Sequence, residues 1–261
     1  MTTLDIRRPS AHVAEVWLNR PEVRNAFNDG VIAELTAAFR GFAEDKELRA
    51  VILAGEGKAF CAGADLNWMR AMADYSWEQN RADAEGLAEM LWTIYSCPVP
   101  VVGRIHGDCY AGGVGLAAVC DILVAAEGVN FCLSEAKLGL LPATIGPYVV
   151  RALGERASQR YFMTAERFDA AQAKSLGFVH ECVAPDLLDQ QVQTIVAALV
   201  ANGPAAVKAC KRLVQDLAGQ TITPALRADT AKRIADIRAS AEGREGVQSF
   251  LQKRPAYWLA S

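Results

Sequence analysis

The sequence has little excess charge and no long apolar run, and both shortages narrow what it can be. Lys and Arg number 27 against 30 Asp and Glu, a formal net charge of −3, and the pI is near 5.7. Nucleic-acid and membrane-surface proteins favour a basic face, so neither kind of partner is expected. No stretch reaches 18 consecutive apolar residues, and the most apolar one, Gly112 to Ala126, is broken by Asp121. That is too short to span a bilayer. The first residues carry no apolar segment of the kind that forms a secretory signal. There are only three histidines, at 12, 106 and 180, and no metal-ligand spacing, so no metal is expected. C-x-x-C is absent and the seven cysteines are odd in number. A disulfide framework is thereby disfavoured, and reduced thiols in a cytoplasmic setting fit better.

What is present is an ordinary globular composition: 261 residues, 52% hydrophobic and 22% charged, enough for a substantial core. No internal period of repeat-protein length occurs. Val13 to Leu18 reads as a strand, followed by a loop, NRPEVRNAF. Asn28 or Asp29 can cap a helix running to about Ala43. Val51 to Ala54 is a short buried strand closed by Gly55 and Gly57. Trp77 to Ser96 has helical spacing and is stopped by Pro98 and Pro100. Val99 to Ile105 is the next strand, then a glycine-rich turn, a helix from Gly112 to Val119, and a strand from Asp121 to Ala125. This alternation predicts an α/β core with parallel pairing. After Gly146 nearly everything reads as helix: 146–163, 169–175, 186–201, 204–218, 222–241 and 243–253. The Ala-Asn-Gly-Pro break near 200 divides a core, 1–200, from a helical region, 201–261.

Two small-residue turns, each after a strand, stand out. One is Lys58-Ala59-Phe60-Cys61-Ala62-Gly63-Ala64-Asp65-Leu66, where Gly63 permits a tight turn that can leave the Ala64 N–H unpaired. The other runs from Ile105 to Gly115 and opens a helix whose first amides, at Gly112 and Gly113, are donors aided by the helix dipole. Singly, each is ordinary connection chemistry; together they can supply the two backbone donors of an oxyanion hole. Gly113 to Ala118 also fits G-x-G-x-x-A, but the strand ends too far upstream and the helix is too short for a dinucleotide site. Glu135 sits in an otherwise apolar stretch, Asn130 to Pro142. Burial there would raise its pKa and suit it to proton transfer; the alternative is a salt bridge to Lys137 or Arg151. No G-x-S-x-G elbow competes as a nucleophile.

On these residues the sequence resembles the crotonase (enoyl-CoA hydratase/isomerase) superfamily. The resemblance runs from LNRPEVRNAF through KAFCAGADL and IHG…AGGVGLAAVCD to the EGVQSFLQKR tail. It implies a spiral of ββα turns with a helical C-terminal region that assembles homotrimers or homohexamers. It also implies an acyl-CoA thioester as substrate, with no separate cofactor, and an enolate held by the amides of Ala64 and Gly112. Arg24, Asn25 and Ala26 match the loop lining the CoA nucleotide; Ala62, Asp65 and Leu66 match the pantetheine and adenine end. Phe250 and Lys253 match positions that close over the adenine and 3′-phosphate, often from a neighbouring subunit. Family hydratases commonly use two glutamates: Glu135 matches the second, and Gly115 stands where the first would be. A glycine there is expected to leave room for a branched acyl group or a mobile water.

The run KAFCAGADLNWM with FCLSEAKLGLLPATIGPYVVRALGERASQRYFMTAERFDA is similar to bacterial hydratases acting on 3-methylglutaconyl-CoA and its isoprenoid-extended relative. That implies water addition to a branched enoyl-CoA with Glu135 as the acid/base. Trp68, Met69, Met72, Tyr75 and Trp77 are candidates for the acyl pocket wall, with core packing as the equal alternative. Three other readings stand beside it: a Δ3-Δ2 enoyl-CoA isomerase, which needs a single base, an RNA-binding module, as in some relatives, and a trimer that has lost activity. Lys208, Lys211 and Arg212 are only a small basic cluster and read as a solvated helix face.

Overall fold

The computed structural model describes residues 2–259. In chain order the elements are β1 (Leu4–Ser10), β2 (Val13–Leu18), α1 (Asp29–Glu44), β3 (Ala50–Gly55), β4 (Ala59–Cys61), α2 (Leu66–Met72) and α3 (Trp77–Ser96). Next come β5 (Val101–Ile105), β6 (Asp108–Tyr110), α4 (Gly112–Ala118), β7 (Ile122–Ala126), β8 (Asn130–Cys132), α5 (Gly146–Leu153) and α6 (Glu155–Thr164). The chain ends with β9 (Arg167–Asp169), α7 (Ala170–Ser175), β10 (Glu181–Val183), α8 (Leu188–Ala201), α9 (Pro204–Leu217), α10 (Pro224–Ala239) and α11 (Ala241–Leu251). It separates into two compact units, Met1–Thr194 and Ile195–Ser261.

The first unit is a crotonase-type α/β spiral. Its six-stranded sheet has the order β1-β2-β3-β5-β7-β10, and a four-stranded sheet has the order β4-β6-β8-β9. Consecutive strands alternate between the sheets: β3, β5 and β7 pair in parallel in one, β4, β6 and β8 in the other. Each turn of the chain thus adds one strand to each sheet before a helix returns it. β3 is buried at all six positions, as expected of a parallel strand covered on both faces. The apolar face of α1 (Val31, Leu35, Phe39, Phe42) is buried, and Asn28 caps the helix by accepting from the Val31 N–H at 3.0 Å. Ser76 and Gln79 form a reciprocal capping box at the start of α3, which fixes where that helix begins.

The structure departs from the sequence expectation at several elements. β1 is a strand, although its exposed Arg7, Arg8 and Pro9 obscure the alternation. The span 146–163 is two helices, because Gly154 adopts φ +83° and breaks it. The region after 146 is not uniformly helical: β9 completes the smaller sheet, antiparallel to β8, and β10 completes the larger one, parallel to β7. Each is three residues long, too short to show a period.

The second unit holds the second half of α8, from Ile195, and all of α9 to α11. The Asn202-Gly203 step separates α8 from α9, and Pro204 opens α9. The Glu242 carboxylate accepts from the Ala205 and Ala206 amides at 2.9 and 2.8 Å, capping α9 with a negative charge at the positive end of its dipole. Among the described residues no single helix is long and apolar enough to cross a membrane.

Candidate active site

The two small-residue turns lie against each other. A Cβ added at Gly63 (φ +88°) would lie 2.9 Å from the Ala111 Cβ and 3.5 Å from the Gly112 nitrogen. A side chain at Gly63 would therefore force the turns apart. Ala64 follows in an isolated parallel bridge with Phe27. Phe27 donates to the Gly63 carbonyl at 2.7 Å and accepts from the Asp65 amide at 2.8 Å. The bonds fall on the residues either side of Ala64, so its own N–H faces away from the loop. Ala111 adopts φ +48° and ψ −120°, a strained conformation for an L-residue, of about 1–3 kcal/mol. Its amide is held by the Cys132 carbonyl at 2.7 Å, and its ψ sets the direction of the following Gly112 N–H. Among the described residues neither the Ala64 nor the Gly112 N–H has an acceptor. Both residues border one cavity of about 510 Å³.

Glu135 borders the same cavity, at the start of a 3-10 turn, Glu135–Leu138. Its Oε2 is buried without a hydrogen-bond partner, and burial raises its pKa above the ordinary 4.5. The salt-bridge alternative does not hold: Arg151 donates to the Tyr95 hydroxyl at 3.0 Å, and among the described residues no ion pair joins Glu135 to Lys137 or Arg151. An unpaired, partly desolvated carboxyl beside two free amide donors is the arrangement general acid/base chemistry requires. The buried Cys61 thiol nearby is pushed up to about 12 by desolvation, so it stays protonated and is no competing nucleophile.

Around this centre the expected residues divide. Ala62, Leu66, Trp68, Met69 and Met72 border the cavity, whereas Tyr75 and Trp77 do not, and Trp77 is 68% exposed. Asn25 is buried, and its amide donates to the Glu56 and Ala59 carbonyls at 2.8 and 2.9 Å. It is an internal brace of the loop. Ala26 is buried too, and Arg24 is exposed at φ +55°. The Asp65 side chain is engaged within the protein. Its Oδ1 caps α2 by accepting from the Asn67 and Trp68 amides, and its Oδ2 accepts from Arg20 at 2.8 Å. In the second unit Phe250 is 82% exposed near the end of α11, so its ring is not packed in a core, and Lys253 is exposed at φ +54°.

The expectation of a vacancy at Gly115 requires a correction. Gly115 leaves no vacancy: a Cβ there would lie 2.1 Å from Cγ2 of Ile145. Ile145, 3% exposed, fills the place of the absent side chain and presents an apolar wall to the cavity. Sequence reading did not single out Ile145, Arg20, or Asp83, whose Oδ1 accepts from the Trp68 indole N–H at 2.9 Å. The only signal for Arg20 was its place in the Asn-Arg-Pro loop.

Residues 8–260 match the enoyl-CoA hydratase/isomerase family, and the chain belongs to it. An enoyl-CoA hydratase structure from Shewanella pealeana is 40% identical, covers 98% of this chain and 96% of its own, and superposes with a TM-score of 0.94. One from Mycobacterium smegmatis is 36% identical over 99% of this chain and all of its own, also with a TM-score of 0.94. The 2,3-dehydroadipyl-CoA hydratase of Escherichia coli is 29% identical over 91% of each chain. The enzyme class is that of the enoyl-CoA hydratases, and an acyl-CoA thioester is the consistent substrate.

Proposed function

We infer that this chain hydrates a branched enoyl-CoA, of the 3-methylglutaconyl kind, with Glu135 as its single acid/base. The observation that carries this reading is the meeting, in one cavity, of two unpartnered amides and one half-buried carboxyl whose Oε2 has no hydrogen-bond partner. The Glu135 carboxylate takes a proton from water as the water oxygen bonds to C3. The C2–C3 π electrons move toward C1, and the thioester oxygen becomes an enolate oxyanion held by the Ala64 and Gly112 amides. Glu135 then returns the same proton to C2. The oxyanion collapses to the thioester, and protons and electrons balance with one carboxyl. The name of the Escherichia coli relative, 2,3-dehydroadipyl-CoA hydratase, puts the double bond at this same C2–C3 position. The wall formed by Trp68, Met69, Met72, Leu87 and Ile145 suits the apolar methyl branch on C3.

We also infer a homotrimer or homohexamer, with Phe250 and Lys253 closing over the CoA nucleotide, and a cytoplasmic setting. The test is incubation with 3-methylglutaconyl-CoA, crotonyl-CoA and 3-hexenoyl-CoA, followed by mass spectrometry. A gain of one water on the first substrate is expected. Conversion of 3-hexenoyl-CoA to its 2-enoyl isomer at constant mass, with no hydration, would make the enzyme an isomerase instead. Glu135→Gln should lower kcat by at least about 100-fold, the usual scale of acid/base catalysis, while the variant still binds the CoA ester.

A further inference from the structure

The Arg20 side chain reaches both segments that frame the Ala64 amide. Its Nη1 donates to the Ala26 carbonyl at 2.7 Å and its Nη2 to the Asp65 carboxylate at 2.8 Å. Ala26 immediately precedes Phe27, and Asp65 immediately follows Ala64, so the guanidinium grips the outer residues of the Phe27–Ala64 bridge. The grip is itself anchored: the Arg20 N–H donates to the Asn25 side chain at 2.9 Å, and the Asn25 amide N–H to the Arg20 carbonyl at 2.9 Å. The Asp65 side chain is 7% exposed and that of Arg20 is 18% exposed. A further bond, from the Ala62 amide to the Arg24 carbonyl at 3.0 Å, zips the same two segments upstream. The Gly63–Ala64 peptide is held directly by the Phe27 N–H on the Gly63 carbonyl at 2.7 Å, so its direction follows wherever the Ala26–Phe27 segment is placed. Its bridge is a single isolated pair, and the helix that follows begins at the residue Asp65 caps.

We propose that Arg20 and Asp65 form a latch that sets the direction of the Ala64 N–H, making Arg20 a positioning residue for the oxyanion hole. This rests on the reading of Ala64 as an oxyanion donor. Neither side chain touches the substrate; they act through the bridge. A planar guanidinium presents two parallel donors to a carbonyl and a carboxylate at once, which a lysine ammonium cannot reproduce. A donor moved by about 1 Å costs on the order of 100-fold in rate, whereas a merely structural contact lowers thermal stability and leaves the chemistry of the folded enzyme alone.

The experiment compares Arg20→Met, Arg20→Lys and Asp65→Asn with wild type in the intact enzyme. Asn keeps the α2 cap through its side-chain oxygen and removes the charge, so it remains informative if Arg20→Met does not fold. Steady-state hydration is measured beside the infrared carbonyl stretch of bound butyryl-CoA carrying 13C at the thioester carbonyl, a saturated ester that cannot turn over. Expected is a fall of about 10- to 100-fold in kcat with KM within about threefold. The carbonyl stretch, lowered in wild type by the hole, should move back toward its value in free solution. Arg20→Lys should fall between. Folded variants that keep wild-type kcat and carbonyl stretch, whatever their Tm, would overturn the latch. If wild type hydrates none of the tested enoyl-CoAs, the proposed reaction fails while the carbonyl shift still tests the latch. If wild type shows no lowered stretch, the hole itself is overturned and the latch with it.

Discussion

At the scale of single residues, Glu135 is held in a state that favours chemistry over stability. Its folded-state pKa is raised by burial above 4.5, so the folded chain binds the proton more tightly than the unfolded chain. The stability this gives is fully present below the unfolded value and is lost as pH rises through the folded one. At neutral pH an ionised, partly buried Glu135 therefore costs the fold free energy. Replacing it by glutamine should raise the Tm at pH 7 and not at pH 4, even as turnover collapses; calorimetry at the two pH values reads this directly. The same raised pKa sets the acid limb of kcat/KM, since the first step needs the carboxylate. Activity should rise with pH through a midpoint above 4.5. A limb at or below 4.5 would take Glu135 out of the base role. The desolvated setting of Glu135 was legible because a lone acid in an apolar run carries its own signal. The capping and pairing of Asp65 were not legible because its partner, Arg20, lies 45 residues away in sequence. Nothing local tells a capping, ion-paired aspartate from one that lines a ligand.

Among elements, α4 and α5 are coupled through one contact. The Gly115 backbone of α4 lies where Ile145, at the start of α5, packs onto it. A methyl at 115 meets Ile145 and has nowhere to go, so Gly115→Ala should destabilise the enzyme by about 1–3 kcal/mol. Ile145→Ala alone should cost about 2–5 kcal/mol by leaving a cavity. The double variant should cost less than the sum, with a coupling of about 0.5–3 kcal/mol; denaturant unfolding of the four proteins closes the cycle. Strict additivity would mean that the two side chains do not share the space. The expectation of a vacancy at 115 failed for this reason: a glycine in sequence says that a side chain is missing, not which neighbour fills its volume. Long helices with strong punctuation were legible. The span Trp77–Ser96 of α3 agrees with its reading because a capping box opens it and Cys97-Pro98 closes it. The short strands β4, β6 and β8 were not, since three residues cannot display a period of two and only pairing in space makes them strands.

At the scale of the whole molecule, the α/β alternation and the later preponderance of helix were legible, but the interleaving of two sheets was not. It depends on which strands pair, and successive strands such as β3 and β4 enter different sheets. The helical unit also carries more apolar surface than a lone module needs. On α11, Val247, Phe250 and Leu251 are 56%, 82% and 71% exposed, and their spacing of three and four residues puts them on one face. Contiguous exposed apolar residues of this size mark a surface that another chain covers. In the proposed homotrimer or homohexamer, sedimentation equilibrium should give three or six times the 28.1 kDa chain mass. Val247→Asp combined with Leu251→Asp would place two carboxylates in that interface without touching Glu135, Ala64 or Gly112. The double variant should sediment as a smaller species, its circular dichroism still that of a folded α/β protein. Its KM for the CoA ester should rise more than its kcat falls, if Phe250 and Lys253 close over the nucleotide only in the assembly. A wild-type mass equal to one chain would remove the assembly. An unchanged mass in the double variant would move its interface to another face.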